Sequence, residues 1–184
     1  MEPYNKQPEK VTASDVAAIH EHNIEGKVVL ITGCSPQGYG AYLAKVIAEH
    51  KPSLLILAGR SVSKIMVTER IIKAQTSDIK TRSLIFDLGD ISAVRTAAEE
   101  VNTYPETVDV IIASGAIMMA PYEKTTDGFE SQLGVNYLGH FLFLNLLLKK
   151  MLVKGGRIVI TTSNAYQLGG IRWHDPNFEV RIIL

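Results

Sequence analysis

An α/β fold is predicted, a doubly wound parallel sheet of about five strands, and three observations carry the prediction. Short β-branched runs recur along the chain, stretches of helical periodicity separate them, and glycines crowd the first strand-to-helix junction. Near-continuous apolar strands need cover on both faces, which crossover helices provide in a parallel sheet. Right-handed crossovers then favour the doubly wound arrangement.

Residues 1–26 read as a polar N-terminal extension, in which "SDVAAIHEH" predicts one short helix capped by Ser14. The extension is assigned no catalytic role. The domain proper is placed at 27–184. "KVVLIT", Lys27 to Thr32, is the first strand, a β-branched run closed by glycine. "GYGAYLAKVIAEH" follows with helical spacing and an expected apolar face of Leu43, Val46 and Ile47. "SLLILAG", Ser53 to Gly59, is the second strand, and "SKIMVTERIIKAQT" an amphipathic helix with Ile65, Met66 and Ile72 facing inward. "TRSLIFDL", Thr81 to Leu88, is the third strand. "ISAVRTAAEEVN" is a helix for which Asp90 is the N-cap. "VDVIIASGA", Val108 to Ala116, makes the fourth strand and "GRIVITTS", Gly156 to Ser163, the fifth. A long helix over roughly Asp127 to Val153 joins these two.

The composition excludes several classes of function. The 184 residues suffice for one domain with a sizeable core. Formal net charge is zero and no dense run of either sign occurs, which argues against a nucleic-acid partner held through phosphates. The most apolar run, "FLFLNLLLKKMLV", is too short to span a bilayer and is broken by Lys149 and Lys150. Cys34 is the only cysteine, so an internal disulfide is impossible, and a reducing, cytoplasmic setting is expected. No secretory leader is visible in "MEPYNKQPEK". No metal site is expected.

The loop after the first strand reads "TGCSPQGYG". Gly33, Gly38 and Gly40 fall at the strand end, the turn and the helix start, where a pyrophosphate needs backbone N–H groups with no Cβ in the way. A tight turn with packing glycines is the plainer alternative. Cys34 in this loop is read as a small filler without a base to activate it. The second strand ends "LAGRS". No carboxylate is there to accept from a ribose 2′-hydroxyl. Arg60 instead suits a 2′-phosphate, so NADP is preferred over NAD. The alternative for Arg60 is a solvated residue at the start of a helix.

From Lys27 to about Phe178 the chain resembles the short-chain dehydrogenase/reductase family, in its retinol-dehydrogenase-like and fungal secondary-metabolism branch. "TGCSPQGYG", "LAGR", "FDL", "DVIIASGAIM", "GVNYLGHFLF" and "GRIVITTS" carry the match. The resemblance implies a Rossmann-like fold and an NADP-dependent oxidoreductase acting on a small-molecule alcohol or carbonyl, as a step in secondary metabolism. It implies that Ser35 and the amides of Gly38 and Tyr39 face the phosphates, that Asp87 and Leu88 edge the adenine, and that Ser114 and Gly115 run along the nicotinamide ribose. Asn136 matches the family's active-site asparagine, which holds a water for proton relay, and Ser163 the serine that hydrogen-bonds the substrate oxygen. His140 belongs to the "Asn-x-x-Gly-His" signature and is read as a packed, hydrogen-bonded core histidine. Two departures stand out. The glycine loop has four residues between Gly33 and Gly38, one more than usual, and the fourth strand ends "ASGA" where the family has Asn-Asn-Ala-Gly.

A third departure concerns the proton. The family's tyrosine has its pKa depressed by a lysine four residues later. No lysine of this chain is preceded by tyrosine at that spacing. Tyr166 lies near Ser163, but Gly170 occupies its lysine position. The pair is therefore expected on a helix after Leu184, and the abrupt "VRIIL" leads us to expect a truncation, a frameshift or a mispredicted splice junction. An exposed fifth strand and self-association through its edge or the long helix are expected with it. Three readings stay open: an active dehydrogenase, a silent nucleotide-binding remnant, and a non-enzymatic partner of a full-length relative.

Overall fold

The computed structural model describes residues 11–152 and 155–180. Residues 1–10 of the expected extension, Val153 at the end of the expected long helix and residues 181–184 of the closing "VRIIL" lie outside the described residues. Five strands form one parallel sheet in the order β3-β2-β1-β4-β5. They are β1 (Val28–Thr32), β2 (Leu54–Gly59), β3 (Thr81–Ile85), β4 (Val110–Ala113) and β5 (Arg157–Ile160). β1 sits at the centre, with Leu30 opposite Ile56 on one side and Ile111 on the other. The chain winds outward first through β2 and β3, then returns to build β4 and β5 on the opposite side. The crevice between the carboxyl ends of β1 and β4 is thus the point where the winding reverses, the place where such sheets take ligands.

The helices divide between the two faces, as the doubly wound prediction requires. α1 (Ala13–Ile19), α2 (Tyr39–Ala48) and α3 (Val62–Gln75) precede α4 (Ile91–Thr103), the short α5 (Ser131–Leu133) and α6 (His140–Leu152). Alternate residues of each strand serve opposite layers. Val29, Ile31, Leu55 and Leu57 pack with Ala44, Ile47, Ile65 and Ile72 of α2 and α3. Leu30, Ile56, Leu84 and Ile111 pack with Val94, Val101, Phe143 and Leu147 of α4 and α6.

Several local expectations are corrected. α1 is capped by Thr12 rather than Ser14. Thr12 Oγ1 accepts from the Asp15 amide at 3.2 Å while the Asp15 carboxylate accepts the Thr12 amide at 2.8 Å. This reciprocal pair needs an acid three residues after the cap, which Thr12 has. On α3 the buried face is Ile65, Thr68 and Ile72, and Met66 is exposed. Thr68 tolerates burial because its hydroxyl donates to the Cys34 carbonyl at 2.7 Å. Asp90 caps α4 as predicted, accepting from the Ser92 and Ala93 amides. The long helix is shorter than expected and not uniform. Thr125 to Gly128 form a turn, with Gly128 at φ +84°. A wide π turn, Gly134–Gly139, then separates α5 from α6. Strands β3, β4 and β5 stop short of the predicted ends, where the chain leaves the sheet to form the crevice. β5 is an outer strand, and Val159 and Ile160 are exposed.

Candidate functional site

A cleft opens at the reversal point, lined among others by Thr32, Gly33, Ser35, Arg60, Asp87 and Gly115. It measures about 190 Å³, below the roughly 300–1,000 Å³ of enclosed small-molecule sites. This is an open crevice sized for part of a dinucleotide. Gly33 turns the chain out of β1 at φ +77°, and a Cβ there would lie 2.7 Å from the Gly115 Cα. A Cβ on Gly40 would meet the Gly33 carbonyl at 2.7 Å. The loop after β1, the start of α2 and the end of β4 are therefore in backbone contact, leaving a surface of amides rather than side chains.

Gly38 is the N-cap of α2 and has no side chain to offer the first helical amides, so these and the helix dipole are available to an anion. One detail differs from the expectation. The Gly38 amide donates to the Ser35 carbonyl at 3.0 Å, so it closes the loop and does not point at a ligand. The residues present fit a dinucleotide diphosphate, with the Tyr39 and Gly40 end of α2 as the donor. Beneath this loop Cys34 is fully buried, its thiol donating to the Ile31 carbonyl at 3.1 Å. Burial pushes the thiol up to about 12, and it has no part in nucleophilic chemistry.

At the adenosine end, Gly59, Arg60, Ser61 and Lys64 face Phe86, Asp87 and Leu88. Arg60 is 71% exposed and its guanidinium lies 3.6 Å from the Asp87 carboxylate. An exposed pair of this length contributes little, so the guanidinium is free to turn to a better anion. Lys64 lines the same mouth one turn into α3. Sequence reading missed it, although a lysine in the first turn after β2 is a recognisable signal. Asp87 Oδ1 accepts the Gly89 amide at 2.8 Å, which fixes the turn after β3.

The end of β4 is held without the two asparagines that the resemblance leads one to seek. Thr32 Oγ1 accepts the amides of both Ser114 and Gly115 at 3.0 Å. Asn136, in the π turn, spends its side-chain amide on Ile117, accepting from its N–H at 2.9 Å and donating to its carbonyl at 2.8 Å. π turns of this kind recur at functional sites. Ile117 lines the cleft, so Asn136 reaches it through backbone. His140 is 6% exposed, with Nε2 2.9 Å from Thr32 Oγ1. Burial holds it below the ordinary imidazole value.

Ser163 follows β5 and is exposed, its hydroxyl accepting the Ala165 amide at 3.1 Å at the start of a short 3₁₀ turn. β5 is the neighbour of β4, with Ala113 opposite Ile160. Ser163 therefore leaves the sheet beside the strand that ends in Ser114 and Gly115. Tyr166 is exposed, and its hydroxyl accepts from the Gln167 amide at 3.4 Å. Thus Gly33, Ser35, Arg60, Asp87, Leu88 and Gly115 share one cleft; Gly38, Tyr39 and Gly40 adjoin it in the chain, and Ser114, Asn136 and Ser163 do not line it. Among the described residues no group of acidic, histidine or cysteine side chains is placed to hold a metal ion, and no helix is long and apolar enough to cross a membrane.

Comparison with known proteins agrees with this geometry. The model of the short chain dehydrogenase family matches residues 27–174. Retinol dehydrogenase 13 of Mus musculus is 36% identical over 159 residues, covering 86% of this chain and 47% of that protein. Oxidoreductase fscI of Fusarium equiseti is 32% identical over 172 residues, covering 90% of this chain and 67% of that protein. The chain thus spans about half the length of the curated retinol dehydrogenases it matches. Among solved structures, an uncharacterised protein from Mycobacterium paratuberculosis superposes with a TM-score of 0.70 at 33% identity, over 86% of this chain and 54% of that one. A 3-oxoacyl (acyl-carrier-protein) reductase from Agrobacterium tumefaciens, crystallised with NADP bound, superposes at 0.64 with 25% identity, over 77% of this chain and 54% of that one. The chain belongs to the short-chain dehydrogenase family.

Proposed function

We propose that residues 27–180 hold NADP(H) for the oxidation or reduction of a small-molecule alcohol or carbonyl. The observation that carries the choice of NADP is Arg60, at the mouth of the cleft just past a β2 that ends in glycine. A guanidinium released from Asp87 makes charge-assisted bonds to a 2′-phosphate. Lys64 adds a second cation on the same rim. When bound, the dinucleotide supplies or accepts the hydride. The chain's own residues bind its diphosphate at the start of α2, seat the adenine against Asp87 and Leu88, and line the nicotinamide ribose with Gly115, which Ser114 precedes at the end of β4. Ser163 orients the substrate oxygen, and Asn136 holds the Ile117 backbone beside it. A place in secondary metabolism is suggested by the resemblance of the sequence motifs alone. The single thiol supports a reducing, cytoplasmic setting.

A second reading rests on a specific feature of the sequence: residues 1–184 contain no Tyr-x-x-x-Lys pair, and Tyr166 has Gly170 at the lysine position. On this reading the present stretch binds cofactor without turnover and acts by association. The exposed Tyr137 and Phe141, whose rings lie 6.1 Å apart near the start of α6, and the outer face of β5 are the surfaces for self-association or for a full-length relative.

Arg60→Ala tests the cofactor assignment. Losing charge-assisted bonds of about 1.5–3 kcal/mol should weaken NADP⁺ roughly 10- to 100-fold by calorimetric titration. NAD⁺ binding should stay within about twofold, since NAD⁺ lacks the phosphate that Arg60 meets. Equal loss for both dinucleotides would remove the assignment.

A further inference from the structure

We infer that His140 is a positioning residue for the cofactor-facing end of β4, acting through the single proton of Thr32. This deepens the cofactor reading above and rests on it. The inference comes from counting donors and acceptors in a buried cluster. Thr32 Oγ1 receives the amides of Ser114 and Gly115, each at 3.0 Å. A hydroxyl has two acceptor sites and one proton, so both acceptor sites are filled. The third neighbour, His140 Nε2 at 2.9 Å, can only be an acceptor of the Thr32 proton. His140 is therefore neutral with its own hydrogen on Nδ1. Burial lowers the ring's affinity for a second proton, and the backbone of Asn136 and Val135 in the π turn opposes this only in part.

The tautomer has a consequence at the cleft. With Nε2 accepting, the Thr32 proton is committed, and both lone pairs stay on the two amides that place Gly115 against Gly33. This device braces the strand end where "ASGA" stands, and it explains why a histidine is buried at the first residue of α6. A proton added at Nε2 would present Thr32 Oγ1 with a third donor and leave its own hydrogen without an acceptor. Burial is the foremost influence on the ring, ahead of the backbone of Asn136 and Val135. Cys34, the nearby titratable group on the same loop, packs in the opposite layer. His140 lies below the ordinary value of 6.5. The brace is therefore intact above that value and is lost as pH falls through the lower value of the folded chain.

The experiment uses the full chain with ¹⁵N-labelled histidine. The His140 ring should show hydrogen on Nδ1 and a bare Nε2; hydrogen on Nε2 overturns the inference whether or not any dinucleotide binds. Amide exchange of Ser114 and Gly115, again without ligand, should quicken about tenfold in His140→Phe, the equivalent of one hydrogen bond. His140→Gln, whose carbonyl can accept the Thr32 proton, should stay within about twofold of the parent. Acidification should quicken both exchanges in the parent but not in His140→Gln. NADP⁺ titration should follow the same ranking. Equal loss in the phenylalanine and glutamine variants, or a pH step that survives in glutamine, would reduce His140 to packing. Should NADP⁺ fail to bind the parent, the cofactor reading falls, and the tautomer and exchange results still decide the brace.

Discussion

The centre of the sheet and its β5 edge differ in how they are held. Every residue of central β1 is buried, whereas outer β5 is exposed apart from Ile158, which packs against the core, and Ile160 is 61% exposed. The glycine loop and the crevice grow from the first, Ser163 from the second. The groups proposed to face the nucleotide are thus largely backbone, fixed by close approach of Gly33, Gly40 and Gly115. Ser163, proposed to face the substrate, stands on an exposed turn held locally by the Ala165 and Tyr166 amides. On the proposed reading, the contrast teaches that the dinucleotide end is assembled in advance by backbone packing, while the serine end is held only by its own turn.

Substitutions can break this contrast. The largest effect should come from Gly33→Ala, which combines a positive φ with a Cβ 2.7 Å from the Gly115 backbone. A left-handed alanine costs roughly 1–2 kcal/mol and overpacking a further 1–3, so a loss of about 3 kcal/mol in urea melts and of NADP⁺ binding is expected. Next come paired truncations. Ile56→Ala, in the sealed centre of β2, should lose about 2–5 kcal/mol, and Ile160→Ala on the outer strand no more than about 0.5. Similar losses at both positions would mean that β5 is covered in solution, which sedimentation would then reveal as self-association. A further effect, smaller than those at Gly33 and Ile56, is electrostatic. Glu69 accepts from Lys73 at 2.6 Å and Thr81 at 2.5 Å, tying α3 to β3. These contacts, Lys73 foremost, hold its carboxyl below the ordinary 4.5. Its contribution is present above that pH and is lost as pH falls through the lower folded value. Glu69→Gln should cost about 0.5–1 kcal/mol at neutral pH and nothing at the acid end, read from melts across pH 2–7.

The strands were legible because β-branched runs bounded by Gly or Pro have few other uses in a soluble chain. Crossover handedness led to the doubly wound arrangement, but the strand order itself came only with the structure. The glycine loop was legible from position as much as composition, and so was Arg60. What stayed hidden depended on through-space partners. Ser14 and Thr12 are both good caps, and only the return bond from Asp15 selects Thr12. The π turn owes its place to Gly139, where a Cβ would lie 2.1 Å from the Leu88 carbonyl, a contact no local pattern announces. Thr32 reads as the last residue of a strand, and its hydroxyl acquires a role only when β4 and α6 arrive. Asn136 was found by resemblance, but its bonds to Ile117 were not foreseeable.

Cys34 has a use beyond filling space. Its amide is tied to the Ala58 carbonyl, its carbonyl to Thr68, and its sulfur to Ile31. A thiol reagent can reach it only when the layer between β1 and α3 parts. The rate of alkylation therefore times the breathing of the phosphate loop, with no label added and no cofactor required.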